Sequence, residues 1–124
     1  MSPLMWFGIA VMGGLGAALR FLVDSWVTGR STSSVPLGTV VVNVSACFCI
    51  GLLTGAASVV PALAALSPVL GTGFLGGYST FSTASVEGAR LVRTGRLLAG
   101  CAHAGGMIIL SLCAGLLGLA LFRL

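Results

Sequence analysis

The stretch GTGFLGGYSTFSTASVEG, from Gly71 to Gly88, decides the fold, because it carries glycines and hydroxyls through an otherwise apolar segment. Its opening letters fit a dinucleotide-binding G-x-G-x-x-G loop. Such a loop needs a preceding strand and an acidic residue about 20 positions further on. The next acidic residue, Glu87, comes too early and precedes another apolar segment. The match to a nucleotide loop is therefore accidental.

The composition around this stretch excludes a domain surrounded by water. Of the 124 residues, 57% are hydrophobic and 6% are charged, whereas soluble domains carry about 25% charged residues. Four apolar runs are long enough to cross a bilayer, which takes about 20 residues. They cover residues 4–23, 36–58, 67–90 and 96–122. We predict an all-α membrane protein, a single four-helix transmembrane domain over residues 1–124, with the lipid bilayer and no nucleic acid as its partner.

The third run is predicted to be a helix broken near mid-membrane. The glycines between Gly71 and Gly77 lower helix propensity, and the hydroxyls between Ser79 and Ser85 offer the backbone competing hydrogen bonds. Irregular backbone at membrane depth is tolerated only where it is buried in protein or lines a wet cavity. Freed carbonyls suit a small cation, and freed N–H groups with hydroxyls suit an anion. Asn43 in the second run either adds a donor to such a site or bridges two helices.

Three segments together resemble the Fluc (CrcB) family of fluoride channels. They are GGLGAALR (Gly13 to Arg20), LGTVVVN (Leu37 to Asn43) and GFLGGYSTFSTASVEG (Gly73 to Gly88). The resemblance implies a passive, fluoride-selective channel subunit that exports cytoplasmic fluoride across the bacterial cytoplasmic (plasma) membrane. It also implies an antiparallel, dual-topology dimer with two narrow pores at the subunit interface.

The resemblance further implies which residues serve the pore and a structural sodium ion at the dimer interface. The sodium ion would be held by backbone carbonyls, those of Gly76 and Ser79. The fluoride pore would be lined by an amide, a phenylalanine ring and hydroxyls: Asn43, Phe81, Thr80, Ser82 and Ser111.

Three positions depart from the family pattern. Ala84 stands where the family has a second phenylalanine, His103 where it has a tyrosine, and Met107 where it has a pore-lining serine. His103 is interpreted either as a polar residue packed between helices or as a proton-sensing group, and Met107 as a gap filler. These departures degrade one of the two pores, so we expect one working pore per dimer.

Arginine placement favours a single orientation in the membrane. The first and third connections with their flanks carry five arginines (Arg20, Arg30, Arg90, Arg93 and Arg96), whereas the opposite side carries Arg123. Positive residues stay on the cytoplasmic side. A subunit that inserts one way needs a partner that inserts the other way, so a heterodimer is expected, with a homodimer as the alternative.

Two other functions share parts of this pattern. A small multidrug-type transporter subunit has the same length and helix number, but it needs a carboxylate within the first span, and Asp24 comes only at the end of that span. A non-conducting accessory membrane subunit is the second alternative. An enzyme is not expected, because one histidine and two acidic residues supply no catalytic constellation.

Overall fold

The computed structural model describes residues 1–123, and every regular element in that range is a helix. In this range, three helices are long and apolar enough to cross a membrane: Pro3–Arg30, Leu37–Ala57 and Leu97–Ala120. The elements in chain order are α1 (Pro3–Arg30), α2 (Leu37–Ala57), α3 (Pro61–Ser67), a π-helical segment (Pro68–Leu75), α4 (Gly76–Tyr78), α5 (Ser82–Arg93) and α6 (Leu97–Ala120).

The third predicted span is one helical path with a single interruption. α3, the π-helical segment and α4 follow one another without a gap from Pro61 to Tyr78, and the next helix begins at Ser82. The helix therefore starts earlier than expected, inside the predicted connection, because proline is favoured in the first turn of a helix. The interruption at residues 79–81 falls after the glycines and within the hydroxyl-bearing run, the two features that together predicted a break.

Glycines between α1 and the third path explain why the path stays helical there. A Cβ atom on Gly77 would collide with the carbonyl of Gly13, and one on Gly16 would collide with the carbonyl of Phe74. A Cβ on Gly73 would meet the carbonyl of Ile9 at 3.0 Å. Two backbones approach this closely only where side chains are absent. The packing against α1 therefore outweighs the low helix propensity of these glycines.

α2 and α6 pack in the same way. A Cβ on Gly51 would collide with the carbonyl of Gly115, and one on Gly118 would collide with the carbonyl of Phe48. The glycine face of α2 is therefore used for close packing inside the chain. Both glycine-rich faces are consequently covered by the chain's own helices.

Candidate functional site

A reciprocal pair of hydrogen bonds holds the interruption of the third path. The side-chain amide of Asn43 donates to the carbonyl of Thr80 at 2.8 Å, and its oxygen accepts from the N–H of Thr80 at 2.8 Å. α2 thus replaces the two backbone bonds that Thr80 would make in a continuous helix. The amide of Asn43 therefore bridges α2 to the interruption, and its role as a pore donor stays a prediction.

Hydroxyls at the start of α5 form a connected group around Thr80. The hydroxyl of Thr80 accepts from the N–H of Thr83 at 3.2 Å, which caps the first turn of α5. It also donates to the hydroxyl of Thr83 at 3.1 Å and lies 3.4 Å from that of Ser82. Thr80 is buried, whereas Ser82 and Thr83 are exposed. The beginning of α5 therefore presents hydroxyls toward the outside of the chain.

Two backbone carbonyl groups, those of Gly76 and Ser79, precede Thr80 at the interruption. Because the N–H of Thr80 donates to Asn43, it does not return to the carbonyl of Gly76, which loses its helical donor. The carbonyl of Ser79 accepts from the guanidinium of Arg20 at 3.2 Å. Gly76 and Ser79 line an open groove of about 190 Å³ together with Ala46, Cys47, Ile50, Gly71 and Leu75.

Phe81 and Ala84 stand at the two positions where the family motif has phenylalanines, and they differ in burial at the start of α5. Phe81 is 87% exposed, so its ring projects away from the chain at the point where the backbone is interrupted. Ala84 is only 6% exposed and faces inward. α5 packs mainly against α6. A phenylalanine at position 84 would therefore have to displace neighbouring helices, which explains why a small residue fits there.

One face of α6 carries the remaining predicted residues. His103, Met107 and Ser111 follow one another at intervals of one helical turn. The sulfur of Met107 accepts from the amide of Asn43 at 3.3 Å, which brings this position to the interruption. Ser111 is half-buried one turn further along, and among the described residues it makes no hydrogen bond to the group at the break.

Comparisons with known proteins identify the family of this chain. Residues 7–119 match the family described as CrcB-like protein, Camphor Resistance (CrcB).

The chain belongs to the CrcB family.

Curated relatives agree with the CrcB assignment over most of their lengths. "Fluoride-specific ion channel FluC 2" of Cutibacterium acnes is 46% identical over 91% of this chain and 93% of that protein. "Fluoride-specific ion channel FluC 1" of Leifsonia xyli subsp. xyli is 42% identical over 96% of this chain and 87% of that protein. "Fluoride-specific ion channel FluC 2" of Mycobacterium bovis is 40% identical over 92% and 87%.

Two residues outside the predicted site, Thr39 and Glu87, meet His103 in this CrcB chain. The hydroxyl of Thr39 donates to Oε1 of Glu87 at 2.9 Å, and Oε2 of Glu87 lies 3.7 Å from Nε2 of His103. The sequence offered one signal for this cluster, since Thr39 and Asn43 stand one turn apart on the same face of α2. The pairing of α5 with α6 that completes it depends on tertiary packing.

Proposed function

We propose that this chain is a subunit of a passive, fluoride-selective channel that exports cytoplasmic fluoride from a bacterium and protects it from fluoride toxicity. The observation that carries the proposal is the 46% identity, over nine-tenths of the chain, to a protein named a fluoride-specific ion channel. Hydrogen fluoride is a weak acid that crosses membranes uncharged and dissociates inside. The trapped anion then leaves down its gradient through a channel, with no enzymatic step.

The chemistry at the interruption supports an anion as the ligand. Fluoride is small and strongly hydrated, so a pore must replace its water with several close donors. Ser82 and Thr83 supply exposed hydroxyls at the start of α5, where the helix dipole also favours negative charge. The exposed ring of Phe81 has a positive edge that can face a dehydrated anion. Thr80 and Asn43 hold these groups in place, and Ser111 extends the path along α6.

The exposure of Phe81 supports a second subunit across this surface. One chain leaves the ring 87% uncovered, so a pathway bounded on all sides needs further protein. We place an antiparallel partner against the face that carries Phe81 and the carbonyl groove. The plasma membrane is the location that suits an exporter of cytoplasmic fluoride.

The carbonyl oxygens at the interruption suit, in part, a structural sodium ion at that dimer interface. The carbonyl of Gly76 lacks its helical donor, and unwound carbonyls are suitable sodium ligands. The carbonyl of Ser79 keeps one lone pair free beside the bond from Arg20, whose positive charge opposes a cation there. Gly76 is thus the better ligand of the two. Replacing sodium by a bulky organic cation should loosen the dimer, and an unchanged dimer would argue against the ion.

The degraded positions support a heterodimer with one working pore. Ala84 is buried where the resemblance calls for an exposed ring, and Met107 presents a sulfur rather than a hydroxyl to Asn43. A partner of opposite orientation would supply the missing phenylalanine to the pore that uses Phe81. The other pore, which would need a ring at position 84, would not conduct. Arg20 is held at the interruption by its bond to Ser79, and the remaining four arginines on one side against one on the other favour this fixed orientation.

Fluoride efflux from liposomes tests the proposal directly. The purified chain is reconstituted alone and then with an oppositely oriented family member, and a fluoride electrode records efflux with chloride as the control anion. Fluoride efflux from the chain alone would establish the channel and reject an obligate heterodimer. Efflux only with the partner would support the two-subunit arrangement. Silence in both cases would contradict the channel and favour an accessory subunit, and proton-coupled cation flux would favour a transporter.

A further inference from the structure

A buried polar cluster stands one helical turn from the interruption and is not part of it. Thr39 on α2 is 1% exposed and His103 on α6 is 3% exposed. The side chain of Glu87 on α5 lies between them and is 20% exposed. Its Oε1 accepts from the hydroxyl of Thr39 at 2.9 Å, whereas its Oε2 faces the imidazole at 3.7 Å. The cluster thus joins three helices through a single carboxyl group.

The hydrogen bonding of this cluster is incomplete, and no proton assignment is needed to see which atoms lack partners. Within the described chain, Oε2 of Glu87 and both ring nitrogens of His103 are buried and make no hydrogen bond. A neutral imidazole has one N–H donor, and an imidazolium has two. Buried polar groups without partners are unfavourable. The neutral ring can donate to Oε2 from its Nε2 tautomer but leaves the carboxylate charge uncancelled, whereas a ring that binds a further proton forms a charge-assisted pair across the 3.7 Å gap.

His103 is the group that faces Oε2 of the carboxylate from α6, whereas Arg90 shares the hollow that Glu87 lines. α6 packs against α2 and α5. α2 presents the neutral hydroxyl of Thr39, and α5 presents Glu87. The other ionisable side chains of these two helices are exposed or lie two turns beyond Thr39: Cys47 and Cys49 on α2, Arg90 and Arg93 on α5.

Water reaches the cluster from one side. Glu87, whose side chain is 20% exposed, lines an open hollow of about 350 Å³ together with Asp24 and Arg90, which gives solvent access to its carboxyl group. On the opposite side, Asn43 follows Thr39 by one turn of α2, a rise of about 6 Å at 1.5 Å per residue. Met107 follows His103 by one turn of α6. The cluster therefore lies between the hollow and the groups that hold the interruption.

We propose that Glu87 and His103 form a proton-binding site, and that its occupancy promotes anion passage through the neighbouring path. An unpaired Glu87 carboxylate repels anions that enter from the hollow. A proton on His103 cancels that charge, so passage is faster at acidic pH. Proton binding is independent of what the chain transports, whereas its effect on passage rests on the proposed fluoride function.

Two measurements test the two parts separately. The sequence has a single histidine, so ¹⁵N NMR of imidazole-labelled protein in micelles reports on His103 alone. We expect acidification to convert the ring to the doubly protonated form. We also expect Glu87→Gln to alter the pH at which it changes. An imidazole that stays neutral throughout, or whose nitrogens respond to pH in the same way in Glu87→Gln, would overturn the proton site.

Fluoride efflux is then compared at about pH 5.5 and about pH 7.5, within the range where histidine changes charge, in the assembly that conducts. Protein-free vesicles at each pH subtract the leak of uncharged hydrogen fluoride. We expect efflux about tenfold faster at the lower pH, the low end of what local charge does to ion association. His103→Gln and His103→Tyr should bring the ratio close to unity, and Cys101→Ser, an exposed position on α6, should preserve it.

The outcomes separate the proton site from the channel. Equal pH ratios in the unmodified chain and both His103 variants would overturn the effect on passage and leave the channel intact. A titrating imidazole without fluoride efflux at any pH would contradict the channel and uphold the proton site. Using two His103 variants guards against one of them failing to fold.

Discussion

The amide of Asn43 and the backbone of Thr80 exchange two hydrogen bonds of 2.8 Å, across a sequence separation of 37 residues. This pair turns the third path at residues 79–81 and allows a new helix to start at Ser82. It also removes the donor from the carbonyl of Gly76. A single side chain thus shapes both the hydroxyl side and the carbonyl side of the site.

Removing the amide should therefore destabilise the protein. Asn43→Ala leaves the N–H and carbonyl of Thr80 without partners, and each unpaired buried group costs about 1–3 kcal/mol. Asn43→Asp keeps an acceptor for the N–H but sets a carboxylate against the carbonyl. Both variants should lower the thermal unfolding temperature in detergent and the fluoride efflux. Thr54→Ala, which removes an exposed hydroxyl bonded within α2, is the control. Equal stability of Asn43→Ala and Thr54→Ala would contradict the role of the amide.

Phe81 should matter for transport and not for the stability of the single chain. Its ring is almost fully uncovered, so Phe81→Leu removes little packing within the chain. We expect fluoride efflux to fall at least about tenfold, which corresponds to about 1.4 kcal/mol of lost stabilisation of the passing ion. Efflux from liposomes is the measurement. Phe7→Leu, at an exposed position on α1, should conduct normally. Similar efflux from both variants would remove Phe81 from the pore.

Ala84→Phe should reduce stability instead of restoring a second pore. The position is buried, and overpacking a filled site costs about 1–3 kcal/mol. The unfolding temperature and the yield of folded protein should both fall. Val86→Phe, at an exposed position two residues along α5, should leave both quantities unchanged. A stable Ala84→Phe protein with doubled efflux would show instead that the inward position opens readily to the pore.

Glycine substitutions should separate packing from helix propensity. Gly51→Ala places a methyl group against the carbonyl of Gly115 and should destabilise the chain by about 1–3 kcal/mol. Gly105→Ala, on α6 with nothing within 4 Å of the added carbon, should be neutral or stabilising by about 0.5–1 kcal/mol. Thermal unfolding in detergent distinguishes the two. Matching losses at both positions would mean that the contact between α2 and α6 is looser than described.

Much of the fold was predictable from sequence, because apolar length and composition alone define membrane helices. The all-helical class, the long spanning helices and the existence of an interruption in the third run followed from sequence patterns. The position of the interruption did not, since Gly71 to Gly77 were judged by propensity while contacts with α1 keep them helical. The resemblance singled out Asn43 and Phe81. The bridging role of Asn43 and the carboxyl of Glu87 between Thr39 and His103 depend on which helices pack together, which local pattern does not encode.

The bond between Asn43 and Thr80 also sets an order of assembly. A chain that emerges from the ribosome N-terminus first has α2, and with it Asn43, in place before residue 80 arrives. The exposed backbone groups at the interruption would be costly in lipid on their own, because hydrocarbon offers them no partner. Because the amide enters the bilayer before these groups do, it can form hydrogen bonds with them as soon as the helix is interrupted. If these two segments came in the reverse order along the chain, the backbone groups at the interruption would enter the bilayer without hydrogen-bond partners.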